Sequence, residues 1–341
     1  MPAEQSIRRR PTADQRTVPS SREDYVSAPL LQRSQRRCSV ARTLEVMGDP
    51  WGFLIIRALF FGVRRFADIQ KHGGVPKKML AARLGSLVKS GVLRRRRYQA
   101  RPIRYEYLLT EKGHELYPPA IALLQWGDRW MAGGEEIPVR LTHKNCGKTF
   151  RAVVACSECR EALRINDVQY ADGPGAGHQP QAGLRRHRRA PAPEIYQRSR
   201  PCSLARVLTL VADRWLFLLL REACFGVRRF DDFVQTTGIA RNIIAERLGY
   251  LVEHGMLEKK KYQDRPERFE YRLMEKGREV YEPILGLMQW GDRWESGKAG
   301  PPLVLMHKKC GKRFDPLVIC SRCSGRIASR EVSYRETFAC S

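Results

Sequence analysis

The chain meets itself again, without a gap, when it is displaced by 164 residues. Cys38 falls on Cys202 and Trp51 on Trp215, and Gly62-Val63-Arg64-Arg65-Phe66 falls on Gly226-Val227-Arg228-Arg229-Phe230. Trp126-Gly127-Asp128-Arg129-Trp130 falls on Trp290-Gly291-Asp292-Arg293-Trp294. A repeat this long is a duplicated domain, because solenoid units run to about 20–50 residues. One chain must therefore fold two like modules and find a use for both.

The 341 residues have room for two ordinary domains plus connecting segments. The expected organisation is a disordered basic arm (1–37), a first folded module (38–131) with a tail (132–165), a flexible linker (166–201), and a second module (202–295) with its tail (296–335). The linker is rich in Gly and Pro and contains Arg185-Arg186-His187-Arg188-Arg189, so it offers no apolar face to bury. As a random coil, about 36 residues span roughly 30–36 Å.

No apolar run is long enough for a transmembrane helix, and the N-terminus lacks the apolar stretch of a secretion signal. A cytoplasmic protein is the expectation. The formal net charge is +26. The first module and tail carry 23 basic against 11 acidic side chains, and the second 25 against 18, so the folded parts are basic as well as the arm and linker. Such a field favours a polyanion, with nucleic acid the leading partner and no membrane span. The alternative is an arginine excess with no function.

The apolar periodicity predicts a helix from Ser39 to Met47 and a second, apolar nearly all round, from Trp51 to Phe60. Asp49-Pro50 reads as its N-cap and first-turn proline. A short third helix starts near Phe66, and a fourth runs from Pro76 to Ser90. Leu93–Tyr98 and Ile103–Leu109 read as a hairpin. Thr110 caps a further helix that Pro118-Pro119 interrupts on the way to Trp130. The fold class is thus mainly α with small β wings (α+β), as tandem winged helix-turn-helix domains.

A helix that enters the major groove needs a small or polar outer face with donors near its N-terminus. Lys77, Lys78, Arg241 and Asn242 supply the donors, with Ala81, Ala82 and Gly85 permitting close approach. Arg94, Arg95, Arg96 and Arg97, followed by Arg101 and Arg104, put six guanidiniums on two short strands and their turn, which points to phosphate. In the second wing, Arg265 and Arg268 are interspersed with acids, so weaker or more selective binding is expected there. Arg64, Arg65, Arg228 and Arg229 are candidate phosphate clamps, with a solvated turn as the alternative.

The order Cys…Trp…Gly-Val-Arg-Arg-Phe…Tyr-Glu-Tyr…Leu-Thr-Glu-Lys-Gly…Gln-Trp-Gly resembles the HxlR-type helix-turn-helix family of bacterial regulators, over about 38–131 and again over about 202–295. The resemblance implies a dimeric transcription regulator, a repressor by the family's pattern. It also implies that the first and last helices make the dimer interface. Here either an intramolecular pseudo-dimer or a homodimer would provide it, with a small-molecule or electrophile effector. By the same resemblance, Cys38 and Cys202 occupy the position of a redox-sensing thiol; a buried packing role is the alternative.

Each tail carries His-x2-Cys-x9-Cys-x2-Cys: His143, Cys146, Cys156 and Cys159, then His307, Cys310, Cys320 and Cys323. Four such ligands in each tail suit a closed, structural zinc site on a ribbon-like hairpin. A metal-free Cys-x2-Cys redox pair is the alternative. Two other functions compete with sequence-specific regulation: nonspecific architectural DNA binding, and thiol oxidoreduction at Cys156/Cys159. No other catalytic constellation is visible, so the expectation is a non-enzyme.

Overall fold

The helices form where the apolar period places them, and each is closed by local chemistry. The computed structural model describes residues 34–47, 50–134, 136–180, 202–211 and 213–337. Helix α1 spans Ser39–Met47, α2 Pro50–Phe60, α3 Phe66–Gly73 and α4 Lys77–Lys89. Strands β2 (Leu93–Gln99) and β3 (Arg104–Leu109) make the wing, after a short strand β1 at Ser34–Arg36. Helix α5 (Glu111–His114) begins at Thr110, whose side chain accepts from the Gly113 N–H, and α6 runs over Tyr117–Trp130.

The second half repeats this order as α7 (Ser203–Val211), α8 (Arg214–Cys224), α9 (Phe230–Thr237), α10 (Arg241–Glu253), β9 (Leu257–Gln263), β10 (Arg268–Leu273), α11 (Glu275–Glu279) and α12 (Tyr281–Glu295). Asp49 lies outside the described residues, but its counterpart Asp213 caps α8, its Oδ1 accepting from Trp215 N and Leu216 N. No described helix is long and apolar enough to cross a membrane.

Each half lends its first helix to the other. Helix α1 lies along α12, α7 lies along α6, and α6 crosses α12. The repeated Trp-Gly-Asp-Arg-Trp segment serves this exchange. A Cβ on Gly291 would stand 2.4 Å from the Ser39 carbonyl oxygen, and one on Gly127 would stand 2.5 Å from a Val207 methyl and 2.9 Å from the Ser203 carbonyl oxygen. Only glycine lets these backbones touch.

The flanking tryptophans then reach across. Trp126 Nε1 donates to Lys276 O (3.1 Å) and Trp290 Nε1 to Lys112 O (2.9 Å). Trp130 and Trp294 donate to Glu279 and Glu115, and Arg129 and Arg293 pair with those same acids at 2.8 Å.

The tails are exchanged as well. In the first, β4 (Val139–His143), β5 (Lys148–Thr149), β6 (Ala152–Cys156), β7 (Val168–Asp172) and a short β8 (His178–Pro180) follow one another. In the second, β11 (Leu303–His307), β12 (Lys312–Phe314), β13 (Pro316–Cys320) and β14 (Val332–Glu336) do so. Strand β4 pairs with β14, β7 with β11, and β6 with β13, all antiparallel. In the last pair Val154 faces Val318, its own counterpart at 164 residues, so a pseudo-two-fold axis passes between them.

Two expectations about connecting segments are corrected. Residues 166–180 were expected in a flexible linker, yet Ile165–Asp167 form a 3-10 turn, β7 joins the opposite tail, and β8 pairs with β1. The same β1 takes Ser34–Arg36 out of the expected disordered arm. Both strands were missed because their pairing partners are remote in sequence and their own pattern is polar. Residues 1–33 and 181–201 lie outside the described residues.

The helix exchange buries a titrating pair. Ser39 Oγ donates to Asp292 Oδ1 at 2.5 Å across the halves. Burial pushes the Asp292 carboxyl up to about 7, and burial pushes its counterpart Asp128 up to about 6. A carboxyl with a raised folded pKa binds its proton more tightly in the fold. Its contribution is therefore full below the unfolded value near 4 and is lost as pH rises through the folded value. Urea unfolding should show stability falling as pH rises from about 5 to about 8, and Asp292→Asn should flatten that fall. An Asp292→Asn profile parallel to the parent's would contradict this.

Candidate nucleic-acid interface and metal centres

Helix α4 turns Leu80, Leu84 and Leu87 into the core and leaves Lys77, Lys78, Ala81, Ala82, Gly85 and Lys89 exposed. Helix α10 buries Ile244, Leu248 and Leu251 and exposes Arg241, Asn242, Ala245, Glu246 and Gly249. Both outer faces are small or polar, as a groove-reading helix requires. They are not equivalent. Arg241 is held by Asp231 at 2.8 Å, and Arg247 pairs with the exposed Glu246, which stands where the first module has Ala82.

Arg65 bridges Glu106, and Tyr107 N donates to Arg64 O, so the segment before α3 is a third edge of the wing. Arg229 and Glu270 repeat the bridge. Residues directly opposite in an antiparallel pair share a face. Arg95 faces Tyr107 and Arg97 faces Tyr105, whereas Arg94 faces Leu108 and Arg96 faces Glu106. The four consecutive arginines therefore divide two and two.

Arg95 lies over the Tyr105 ring at 5.0 Å and Arg65 over Tyr98 at 4.8 Å, while Arg96 is tied to Glu106 at 2.5 Å. In the second wing Arg229 lies over Tyr262 at 5.1 Å, and Lys261 pairs with Glu267 at 2.5 Å and Asp264 at 3.5 Å. Every candidate DNA contact, including Arg101, Arg104, Arg228, Arg265 and Arg268, is exposed. Ile103, at the first wing's tip, is 60% exposed and was not singled out by its sequence. Its only signal is that Glu267 occupies the same place in the copy.

Cys38 and Cys202 are both buried. The Arg221 guanidinium, which belongs to the other half, hydrogen-bonds the Cys38 thiol. Arg36, Arg37 and Arg42 were the neighbours expected from chain order. This burial favours the packing role for both thiols.

The eight tail ligands form two groups of four, but not the two expected. His143 and Cys146 meet Cys320 and Cys323 of the opposite tail, and Cys156 and Cys159 meet His307 and Cys310. Within each group all ligand atoms lie within 4.8 Å of one another. Cys146 Sγ is 4.0 Å from Cys320 Sγ and 3.7 Å from His143 Nδ1, and Cys323 Sγ is 3.2 Å from His143 Nδ1. In the second group Cys156 and Cys310 are 4.0 Å apart, and Cys159 and Cys310 lie 3.2 and 3.4 Å from His307 Nδ1.

The reason for the exchange lies in the spacer. Between the two ligand pairs of a tail, the chain continues into β6 or β13, which pairs with its counterpart from the other half and does not fold back. Five extended residues carry the second pair roughly 16 Å onward. Equal spacing in both copies is compatible with either assignment, which is why the sequence suggested one site per tail.

The knuckles are built as expected. Gly147 and Gly311 each have φ of 68°, and their N–H groups donate to His143 O and His307 O at 2.8 Å. The Lys148 backbone N–H draws the Cys146 thiol down to about 7, and the Lys312 N–H lowers Cys310 likewise.

The HxlR-like helix-turn-helix model matches residues 46–135 and 210–299. The chain belongs to this family. Its first relatives include an HTH-type transcriptional regulator of Mycobacterium tuberculosis, itself uncharacterized, with 46% identity over 131 residues, 38% of this chain and 83% of the relative. The HTH-type regulator YtfH of Escherichia coli is 38% identical over 91 residues, 26% of this chain and 72% of the relative. A solved Pseudomonas aeruginosa chain, assigned provisionally as a transcription factor, is 31% identical; it covers 43% of this chain and 100% of that one, with a TM-score of 0.32. These relatives have the length of one module, and the present HxlR-like chain carries two.

The exchanged grouping makes a prediction about oxidation. Mild oxidation of the full chain after metal chelation should yield disulfide-linked peptides joining Cys146 to Cys320 or Cys323, and Cys310 to Cys156 or Cys159. Peptide mapping that finds only links within one tail would contradict the exchange.

Proposed function

We propose that this helix-turn-helix transcription regulator grips duplex DNA as a dimer contained in one chain. Helices α4 and α10 would enter successive major grooves, and the wings would hold the backbone. The observation that carries this reading is the exposed, small and basic face of α4, presented by a half whose orientation is fixed by the other half's last helix. Repression is the reading on family grounds, and the cytoplasm is the expected site of action.

Lys77 and Lys78 would supply phosphate or base contacts, and Arg241 and Asn242 would read guanine and adenine. Arg64, Arg65, Arg95, Arg97, Arg101 and Arg104 would neutralise phosphates, with weaker help from Arg228, Arg229, Arg265 and Arg268. The unequal recognition faces imply an asymmetric operator with half-sites about 34–36 Å apart.

Zinc is the metal the two composite centres suit. Three thiols and one imidazole form a closed donor set, and bonds of about 2.3 Å imply S–S edges near 3.8 Å in a tetrahedron, against the 4.0 Å found. The imidazoles would ligate through Nδ1. Bound there, zinc would supply no open coordination position; its part would be to fasten one half's tail to the other's.

Genome-fragment selection followed by footprinting should give one site with two dissimilar half-sites. Lys77→Ala with Lys78→Ala should cost about 1–3 kcal/mol in affinity and reduce the salt dependence. Equal affinity for selected and scrambled DNA would favour the architectural reading instead.

Metal counting tests the centres. The full chain should hold two zinc ions, and the Cys146→Ser/Cys320→Ser double variant should keep one, because both residues belong to one centre. Cys146→Ser/Cys156→Ser should lose both. The reverse pattern would restore one site per tail.

A further inference from the structure

Two cavities occupy equivalent places in the two halves, each between a wing root and the opposite half's tail. The first, about 250 Å³, is lined by Arg64, Arg94, Tyr107, Leu109 and His114 of the first module and by Arg330 of the second tail. The second, about 410 Å³, is lined by Arg228, Tyr271, Leu273 and Arg278 of the second module and by Asn166 of the first tail. The 164-residue offset carries Arg64 onto Arg228, Tyr107 onto Tyr271 and His114 onto Arg278. A cavity that recurs about the pseudo-axis belongs to the architecture of the exchange.

Its walls are basic without compensation. Arg64, Arg94 and Arg330 have no carboxylate partner among the described residues, nor do Arg228 and Arg278; Arg96 and Arg272, also at the walls, are taken by Glu106 and Glu270. His114 Nδ1 is held 2.8 Å from Ser329 Oγ of the other half. Burial and Arg330 lower its pKa, so near neutrality it adds a hydrogen-bonding group and no further charge. Like charges gathered at a partly desolvated wall repel one another, and an anion between them reverses the sign of that interaction. Guanidinium forks match carboxylate and phosphate oxygens in pairs, and the Tyr107 and Leu109 wall accepts a small apolar body.

We propose that each cavity binds a small organic anion, a carboxylate or phosphate monoester with a compact apolar body, one per half. The anion would join wing arginines to the opposite tail through Arg330 in the first cavity and Arg278 in the second. Engaged there, Arg64 and Arg94 are withdrawn from phosphate, so the ligand weakens DNA binding. This last consequence rests on the DNA reading above; the binding itself does not.

The test uses the full zinc-loaded chain and 19F NMR with 4-fluorobenzoate, 4-fluorophenyl phosphate and the uncharged 4-fluorobenzyl alcohol. Saturable binding of one or both anions, two per chain, with none of the alcohol, is expected, and the anion that binds identifies the headgroup. Arg330→Gln should abolish one site and Arg278→Gln the other, each leaving DNA affinity without ligand unchanged. No anion binding up to about 10 mM, a weak-affinity ceiling, would overturn the proposal. So would equal binding of the alcohol, or both variants binding as the parent does. Anion binding that leaves operator affinity unchanged would overturn the regulatory consequence alone, and absence of any operator would leave the anion result readable.

Discussion

Everything in this molecule hangs on the crossing of each half's last helix with the first helix of the other, and that crossing is set by two glycines. At Gly127 and Gly291 the facing backbones come so near that a single added carbon would collide with a main-chain oxygen. The tryptophans on either side then donate into the helix that follows the opposite wing, at Lys112 and Lys276. From there Lys112 Nζ donates to Ser90 O and Lys276 Nζ to His254 O, the C-terminal ends of α4 and α10. A short chain of contacts thus runs from the dimer-like interface of one half to the recognition helix of the other. Neither reading head is oriented by its own half alone.

The same crossing dictates where the tails go. Helix α6 ends at Trp130 and α12 at Glu295, each deep in the opposite half, and the chain that leaves them enters β4 or β11 at once. Strands β6 and β13 pair through the axis, and the ligand pairs at their far ends arrive beside the other tail's knuckle. Exchanged metal centres follow from exchanged helices. They close over an interface of tryptophans, glycines and buried carboxyls already formed beneath them.

Much of this was legible before any coordinates. The 3.6-residue period located α1 to α4, and the Thr110 cap and alternating wing strands held because their causes are local. The HxlR-like resemblance carried the interface, since it named first and last helices as partners. What could not be read was connectivity across the repeat. Cys146 sees the same spacing to Cys156 in its own tail as Cys310 does to Cys320, and no spacing rule states which cysteine it will meet. Only the direction of β6, set by pairing with a strand 164 residues away, decides it. Strand β7 was taken for linker for the same reason, because Val168–Asp172 owes its extension to β11.

A dimer written into one chain escapes a constraint that binds a homodimer, in which any change appears twice. The two halves here have used that freedom unevenly. Trp126 to Trp130 and Trp290 to Trp294 are identical, as they must be when each packs against the counterpart of its own surroundings. The surfaces aimed outward have diverged: Lys77-Lys78 stands against Arg241-Asn242, Ala82 against Glu246, and Ile103 against Glu267. Glu246 and Glu267 bring negative charge to the second half's outward face, and each is bound to a neighbouring cation that would otherwise be free for phosphate. The first half therefore carries more of the attraction to a polyanion. The second, with its guanidinium and amide at the head of α10, is better suited to discriminate than to hold.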